Sequence, residues 1–253
     1  AVNHRSARNC LGFNIRIDNG RGPQYIERKQ VEDILTNHQK LELKGKKLAS
    51  LDLRSLEAKL KRNVWIRNAE IFVDNNQELQ VMVHQKQPVA RVFGNQGASF
   101  YLDSACERLP LAGELPARVP VFTGYPGTLT TRADSSLLVQ IKRISDFLGR
   151  HPFWMAAIDQ VCITADREFE LIPTVGSHVV ELGEATDLDK KFGRLYLFYK
   201  EVLVKTGFER YDRIKVQFDR QVVAVRKDRA ERHSDSTRNV QMLNQLQQPA
   251  GTG

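Results

Sequence analysis

The side chains able to do chemistry are spread thinly along these 253 residues. Six histidines, His4, His38, His84, His151, His178 and His233, never fall into the HExxH spacing that sets two imidazoles around a zinc ion. Cys10, Cys106 and Cys162 are odd in number and far apart, with no CxxC pair, so a metal site is not indicated. Cys162 lies in the apolar stretch 158 to 163 and reads as a small buried hydrophobe. No GxSxG turn presents a serine nucleophile. Gly20-Arg21-Gly22 is followed by proline and completes no phosphate-binding loop. Glu168 and Glu170 share one face of a strand, which reads as a solvated outer face rather than an acid/base pair. The sequence therefore points away from an enzyme: no catalytic residue, metal ligand or cofactor site is assigned.

Charge offers a different chemistry. The net charge is +8 and the isoelectric point about 9.5. Eight Lys/Arg lie between Lys40 and Arg62, against Glu42, Asp52 and Glu57. The loop Lys44-Gly45-Lys46-Lys47 has no aromatic residue on which a base could stack, so it reads as a solvated or membrane-facing surface and not as a nucleic-acid site.

The elements that would position any site come in two groups. Phe13, Ile15 and Ile17 alternate with polar residues as a strand buried on one face. Asn19 to Pro23 is turn chemistry, and Val31, Ile34, Leu35 and His38 recur at helical spacing. Asp52 is placed to cap a helix whose apolar face is Leu53, Leu56 and Leu60, with Arg54, Glu57, Lys59 and Lys61 facing away. Ala69, Ile71 and Val73 share one side of a strand, Asp74 to Gln77 turns, and Leu79, Val81 and Val83 share one side of the next. Pro88 ends the unit, since proline cannot donate to a central ladder. The order β-α-α-β-β makes a small α+β domain over residues 13 to 87.

From Pro88 short strands and turns alternate. Leu137, Leu138, Ile141, Ile144, Phe147 and Leu148 define an amphipathic helix stopped by Gly149 and Pro152. Strands are expected over 158 to 165, 168 to 172 and 178 to 182. A long helix follows, capped by Thr186 or Asp187, with Asp189 completing a capping box from Thr186. Its buried face is Leu188, Phe192, Leu195, Tyr199, Val202 and Leu203, and Gly207 stops it. Ile214, Val216 and Phe218 alternate on the penultimate strand, and Val222 to Val225 is an apolar run on the last. Residues 88 to 226 thus read as a β-rich domain with two helices on a mostly antiparallel sheet. Residues 227 to 253 are polar and read as a disordered tail. No apolar run is long enough to span a bilayer, because Lys200-Glu201 breaks the longest, 195 to 204.

Several segments occur together in a familiar order. They are Leu51-Asp52-Leu53 with Leu56-Glu57 and Leu60, then Val64-Trp65-Ile66, Ala69-Glu70-Ile71 and Pro88-Val89-Ala90, with Val119-Pro120-Val121-Phe122 and Gly124 further on. This order resembles the FtsQ/DivIB family of bacterial cell-division proteins, in which a POTRA domain leads into a β domain. There are two departures: an acidic residue common before the proline is Gln85 here, and the Asp-x-x-Gly turn reads Asp103-Ser104-Ala105-Cys106. The resemblance implies a scaffold of the division complex that controls septal peptidoglycan synthesis. It would be anchored in the inner membrane by one upstream helix, with this chain on the periplasmic side at the septum. The start at Ala1 rather than Met fits a segment lost upstream, and residues 1 to 12 would be juxtamembrane. The resemblance further implies FtsB and FtsL as partners, with the contact on the final strands. Phe218, Arg220, Gln221, Val222, Val223 and Val225 are the matching residues, Phe218 and Val223 as apolar anchors and Arg220 as the charge contact. A terminal strand at a sheet edge could take one more strand by backbone pairing. The alternative is a POTRA-bearing subunit of a protein-assembly or secretion machine.

Overall fold

A computed structural model of the chain describes residues 8–20, 22–36, 44–111, 117–127 and 132–227, with side chains in the last segment from residue 135. His38, residues 1–7 of the expected juxtamembrane segment and the expected tail beyond residue 227 lie outside the described residues. The fold is α+β and divides into two compact units, Ala1–Val119 and Pro120–Gly253.

The first unit opens with β1 (Gly12–Asp18), α1 (Arg28–Thr36), α2 (Leu53–Lys61), β2 (Ile66–Val73) and β3 (Glu78–Gln85). Its three strands form a sheet in the order β1-β3-β2. β2 and β3 are antiparallel neighbours, while β1 runs parallel to β3 from Gly12 beside Glu78 to Asp18 beside His84. Strand alternation turns Ala69, Ile71, Leu79, Val81 and Val83 to one face, where Val31, Leu35, Leu56 and Leu60 of the two helices cover them. Burial of one such side chain is worth about 1.5–3 kcal/mol, so this face carries the unit. The Asp52 carboxylate accepts the Ser55 amide at 3.1 Å, capping α2 as expected. Glu57 does not face away: its Oε1 accepts the Ile71 amide at 2.8 Å, because the helix lies across β2. Gln85 is buried, and its Oε1 accepts the amides of Tyr25 at 2.6 Å and Ile26 at 3.1 Å. Its Nε2 donates to the Pro23 carbonyl at 3.0 Å, which a carboxylate at this position would not do.

Pro88 then starts β4 (Pro88–Gly94), followed by β5 (Ser99–Asp103) and β6 (Arg108–Leu109), paired antiparallel in that order. Tyr25, Trp65, Tyr101 and Leu109 form a second buried cluster of the unit. The Tyr25 and Trp65 rings are stacked at 4.4 Å. Lys86 pairs with Asp103 at 3.7 Å and with Glu107.

The second unit contains β7 (Val121–Tyr125), α3 (Arg132–Arg150), α4 (Pro152–Ala157), β8 (Ile158–Ile163), β9 (Phe169–Pro173), β10 (Val179–Gly183), α5 (Leu188–Phe198), β11 (Tyr211–Lys215) and β12 (Val223–Arg226). Strand order is β12-β11-β10-β9-β8-β7. Three pairings are antiparallel, and two, β10 with β11 and β7 with β8, are parallel. Gly124, at φ +80°, has the Ile163 carbonyl 2.4 Å from where a Cβ would sit, so only glycine fits there. Pro152 does more than stop α3: it opens α4 as the first helical residue, where a missing amide costs nothing. The expected apolar face of α3 is buried throughout. Phe147 of α3 stacks on Phe192 of α5 at 4.5 Å, and Trp154 of α4 meets Phe192 edge-on at 5.0 Å.

Asp187, one of the two residues expected there, takes the N-cap position of α5, but without the expected side-chain bond. Asp187 adopts φ +49°, makes no side-chain cap bond, and pairs with Lys190 at 3.1 Å, so no capping box forms from Thr186. A wider turn, Tyr199–Leu203, continues the helix and keeps Leu195, Tyr199 and Leu203 buried in succession before Gly207 ends it at φ +90°.

Candidate functional site

β12 is the edge strand of the second unit, and among the described residues β11 is its one strand neighbour. The two run antiparallel, with Lys215 beside Val223, Ile214 beside Ala224, Arg213 beside Val225 and Tyr211 beside Arg226. The register shifts between Tyr211 and Arg213, a bulge that sharpens the local twist.

Pairing partners place the two faces of this sheet. Leu171, Val180 and Ile214 are successive neighbours across β9, β10 and β11, and all three are fully buried. Ala224 continues that inward row onto β12. The next row runs Thr123, Cys162, Glu170, Glu181, Lys215 and Val223 across six strands, on the opposite face. Cys162 is therefore not a buried hydrophobe. It is half-buried in the outer row, where Gln160 Nε2 at 3.2 Å and Thr123 Oγ1 at 3.4 Å approach its sulfur.

Glu170 and Glu181 face each other directly, a pairing that repels unless a cation intervenes. Arg213 supplies it, donating Nη2 to Glu170 and Nε to Glu181. Lys215 adds a second contact to Glu181 at 3.1 Å. Burial pushes the Glu181 carboxyl up, but the hydrogen bonds and charges of Arg213 and Lys215 outweigh it and hold the group below its usual range. The same bond to Glu181 raises Arg213 despite partial burial. β11 is thus tied through its charges to β10 and β9, which gives β12 a fixed neighbour to rest on. Glu170 was expected on a solvated face and lies there, but ion-paired. The Glu–Arg–Glu bridge itself was not anticipated, because its members are 43 and 32 residues apart in sequence.

The six residues singled out from the sequence fall in three places. Val223 and Val225 point outward from the edge strand, 39% and 42% exposed. Phe218, also 40% exposed, has left β11, so the alternation ends at Val216, which is fully buried. Phe218 instead lies on the turn that joins β11 to β12, with Arg220 and Gln221, both exposed. Arg220 holds φ +59° and sits 3.6 Å from Asp219. Val222 is half-buried and precedes β12, which starts one residue later than expected. The turn is anchored where Arg194 of α5 donates to the Val216 carbonyl at 2.9 Å and the Val216 amide donates to the Glu181 carbonyl at 3.0 Å. An edge strand leaves alternate amide and carbonyl groups without a ladder partner. Here that edge coincides with two exposed valines, and what the arrangement can do is accept a further strand. Among the described residues, no group of His, Cys, Asp and Glu could hold a metal ion.

Two family models match the chain. One, described as FtsQ/DivIB, C-terminal related, covers residues 87–225 and so contains the turn and nearly all of β12. The other, a POTRA-like domain, covers residues 8–84. The chain is also similar to Cell division protein FtsQ of Geotalea daltonii, at 24% identity over 218 residues, covering 81% of this chain and 78% of that protein.

Proposed function

The chain belongs to the FtsQ/DivIB family, and from that premise we propose that it is a non-enzymatic scaffold of the bacterial division complex. It binds FtsB, and FtsL with it, through β12, and so links early and late components of the complex at the septum and helps control septal peptidoglycan synthesis. It is held at the periplasmic face of the inner membrane. No helix among the described residues is long and apolar enough to cross a bilayer, so tethering falls to a segment outside them.

The observation that carries this reading is the edge position of β12 with Val223 and Val225 turned outward. A partner strand added there gains backbone hydrogen bonds along its length, and the valines and Phe218 offer apolar contacts that select its register. Arg220 and Arg226, both exposed, flank the strand and favour an acidic partner segment. The test places a photo-crosslinker in turn at Phe218, Arg220 and Val223, with Lys46 and Ser234 as controls. Capture of FtsB from Phe218 or Val223 is expected. Capture from the controls alone, with the strand silent, overturns the assignment.

A further inference from the structure

We infer that the loop Lys44–Lys47, together with Arg8 and Leu11, is a docking surface for an anionic phospholipid bilayer. The inference deepens the tethering read above, and its test needs neither an anchor nor a division partner. The starting observation is backbone pairing. Residues 8 to 10 run antiparallel to residues 45 to 48, with Asn9 bridged to Lys47. The Cys10 amide donates to the Lys46 carbonyl at 2.8 Å, Gly45 donates to the Cys10 carbonyl at 2.6 Å, and Leu48 donates to the Arg8 carbonyl at 2.9 Å. Cys10 is fully buried in the core beneath. The loop is therefore stitched to the first described residues of the chain.

Its side chains are of one sign. Arg8, Lys44 and Lys47 are exposed and Lys46 half-exposed, and none of the four is paired with a described acidic residue. The two acidic residues of the α2 region are engaged with backbone amides: Asp52 with Ser55 and Glu57 with Ile71. Leu11, 54% exposed, is the next residue along the paired segment and adds an apolar contact at the same place. Clustered cations with one exposed leucine and no aromatic ring match a headgroup layer, where each cation is attracted over a Debye length and an apolar side chain can enter. Nucleic acid would ask for stacking or base-reading groups that this loop lacks.

The experiment is co-sedimentation of the whole chain with vesicles of phosphatidylethanolamine containing phosphatidylglycerol, and with vesicles of phosphatidylcholine. Binding to the first that weakens with added salt, and little to the second, is expected. Replacing Lys44, Lys46 and Lys47 by Gln should weaken it by about fivefold per lysine. The control removes the same charge elsewhere, by Arg229, Arg232 and Arg238→Gln, and should leave binding unchanged. Equal loss from both triple variants, equal binding to neutral vesicles, or tighter binding to duplex nucleic acid than to the anionic vesicles each overturns the inference. Because FtsB is absent, a failure here leaves the crosslinking result at β12 unaffected.

Discussion

His178 precedes β10 and is 1% exposed, with Nε2 hydrogen-bonded to the Tyr199 hydroxyl at 2.8 Å. Burial holds its pKa below the ordinary 6.5, against smaller opposing effects from the Phe208 backbone and Glu209. Burial likewise drives the Tyr199 hydroxyl upward, so it remains a neutral partner. Well above pH 6.5 the histidine is neutral in both states and adds no pH dependence to stability. Below that value the unfolded chain takes up a proton that the folded chain resists, so stability falls as pH falls. His178→Phe should therefore show a smaller drop in Tm between pH 7 and about pH 5 than the parent, even if its Tm at pH 7 is lower. Parallel Tm-against-pH curves would remove His178 from the account. Nothing in the sequence sets His178 apart from the other five histidines. Its environment is made by a tyrosine 21 residues away on α5's continuation. Gln85 teaches the same lesson: as a sequence letter it is a departure from an acidic pattern, and its reason appears only once Pro23, Tyr25 and Ile26 lie beside it.

Among the described residues one hairpin turn is used four times. The amides of Asp74, Gly94, Asp103 and Thr164 bond to the carbonyls of Glu78, Ala98, Glu107 and Glu168, at 3.0, 2.7, 3.0 and 2.9 Å. The fourth residue of each turn, Gln77, Gly97, Cys106 or Arg167, donates back to the first and holds φ of +63°, +81°, +62° or +64°. This is a tight loop closed by a left-handed residue, which matches the twist of the flanking strands. Asp74 and Asp103 add side-chain bonds to the amides two and four residues on, which explains aspartate at the first position. Glycine holds the left-handed place in one turn of the four. A Cβ at Gly97 would meet nothing within 4 Å, so Gly97→Ala isolates the backbone cost and should destabilise by about 1 kcal/mol in urea titration. Gln77→Gly should be neutral or stabilising by up to about 1 kcal/mol, because it relieves the same strain while freeing the unfolded chain. A larger loss at Gln77 than at Gly97 would mean that side-chain packing, and not φ, governs these turns. The turn at residues 74 to 77 was legible from its polar residues, that at 103 to 106 only through the family's Asp-x-x-Gly pattern, and the strands from their alternation. The parallel pairs β1 with β3, β7 with β8 and β10 with β11 were not, since no local signal marks strands joined through intervening elements. The edge position of β12 is the one expected of a final strand, but Phe218, expected to alternate with Ile214 and Val216, lies beyond β11 on the turn, which the alternation did not reveal.

Across the whole chain, two boundaries do not coincide. The three-stranded sheet ends at Gln85 and the family models meet between residues 84 and 87, whereas compactness divides the chain after Val119. The aromatic cluster explains the difference. Tyr101 of β5 lies 6.2 Å from Tyr25 and 6.4 Å from Trp65, and Leu109 of β6 completes the group. A chain cut at residue 87 would keep the β1-β3-β2 sheet but strip the cover from Trp65, now 5% exposed. A chain cut at residue 119 would keep it. Trp65 is the one tryptophan in either fragment, since the other, Trp154, lies beyond both. The fragment 8–119 should therefore emit as a buried indole, and the fragment 8–87 should emit at longer wavelength and unfold at lower urea. A loss of about 2–4 kcal/mol is expected, the cost of removing large aromatic and leucine contacts from a packed cluster. If the two fragments share emission maximum and midpoint, β5 and β6 contribute nothing to the first unit's core, and the boundary at Pro88 is the one that governs folding.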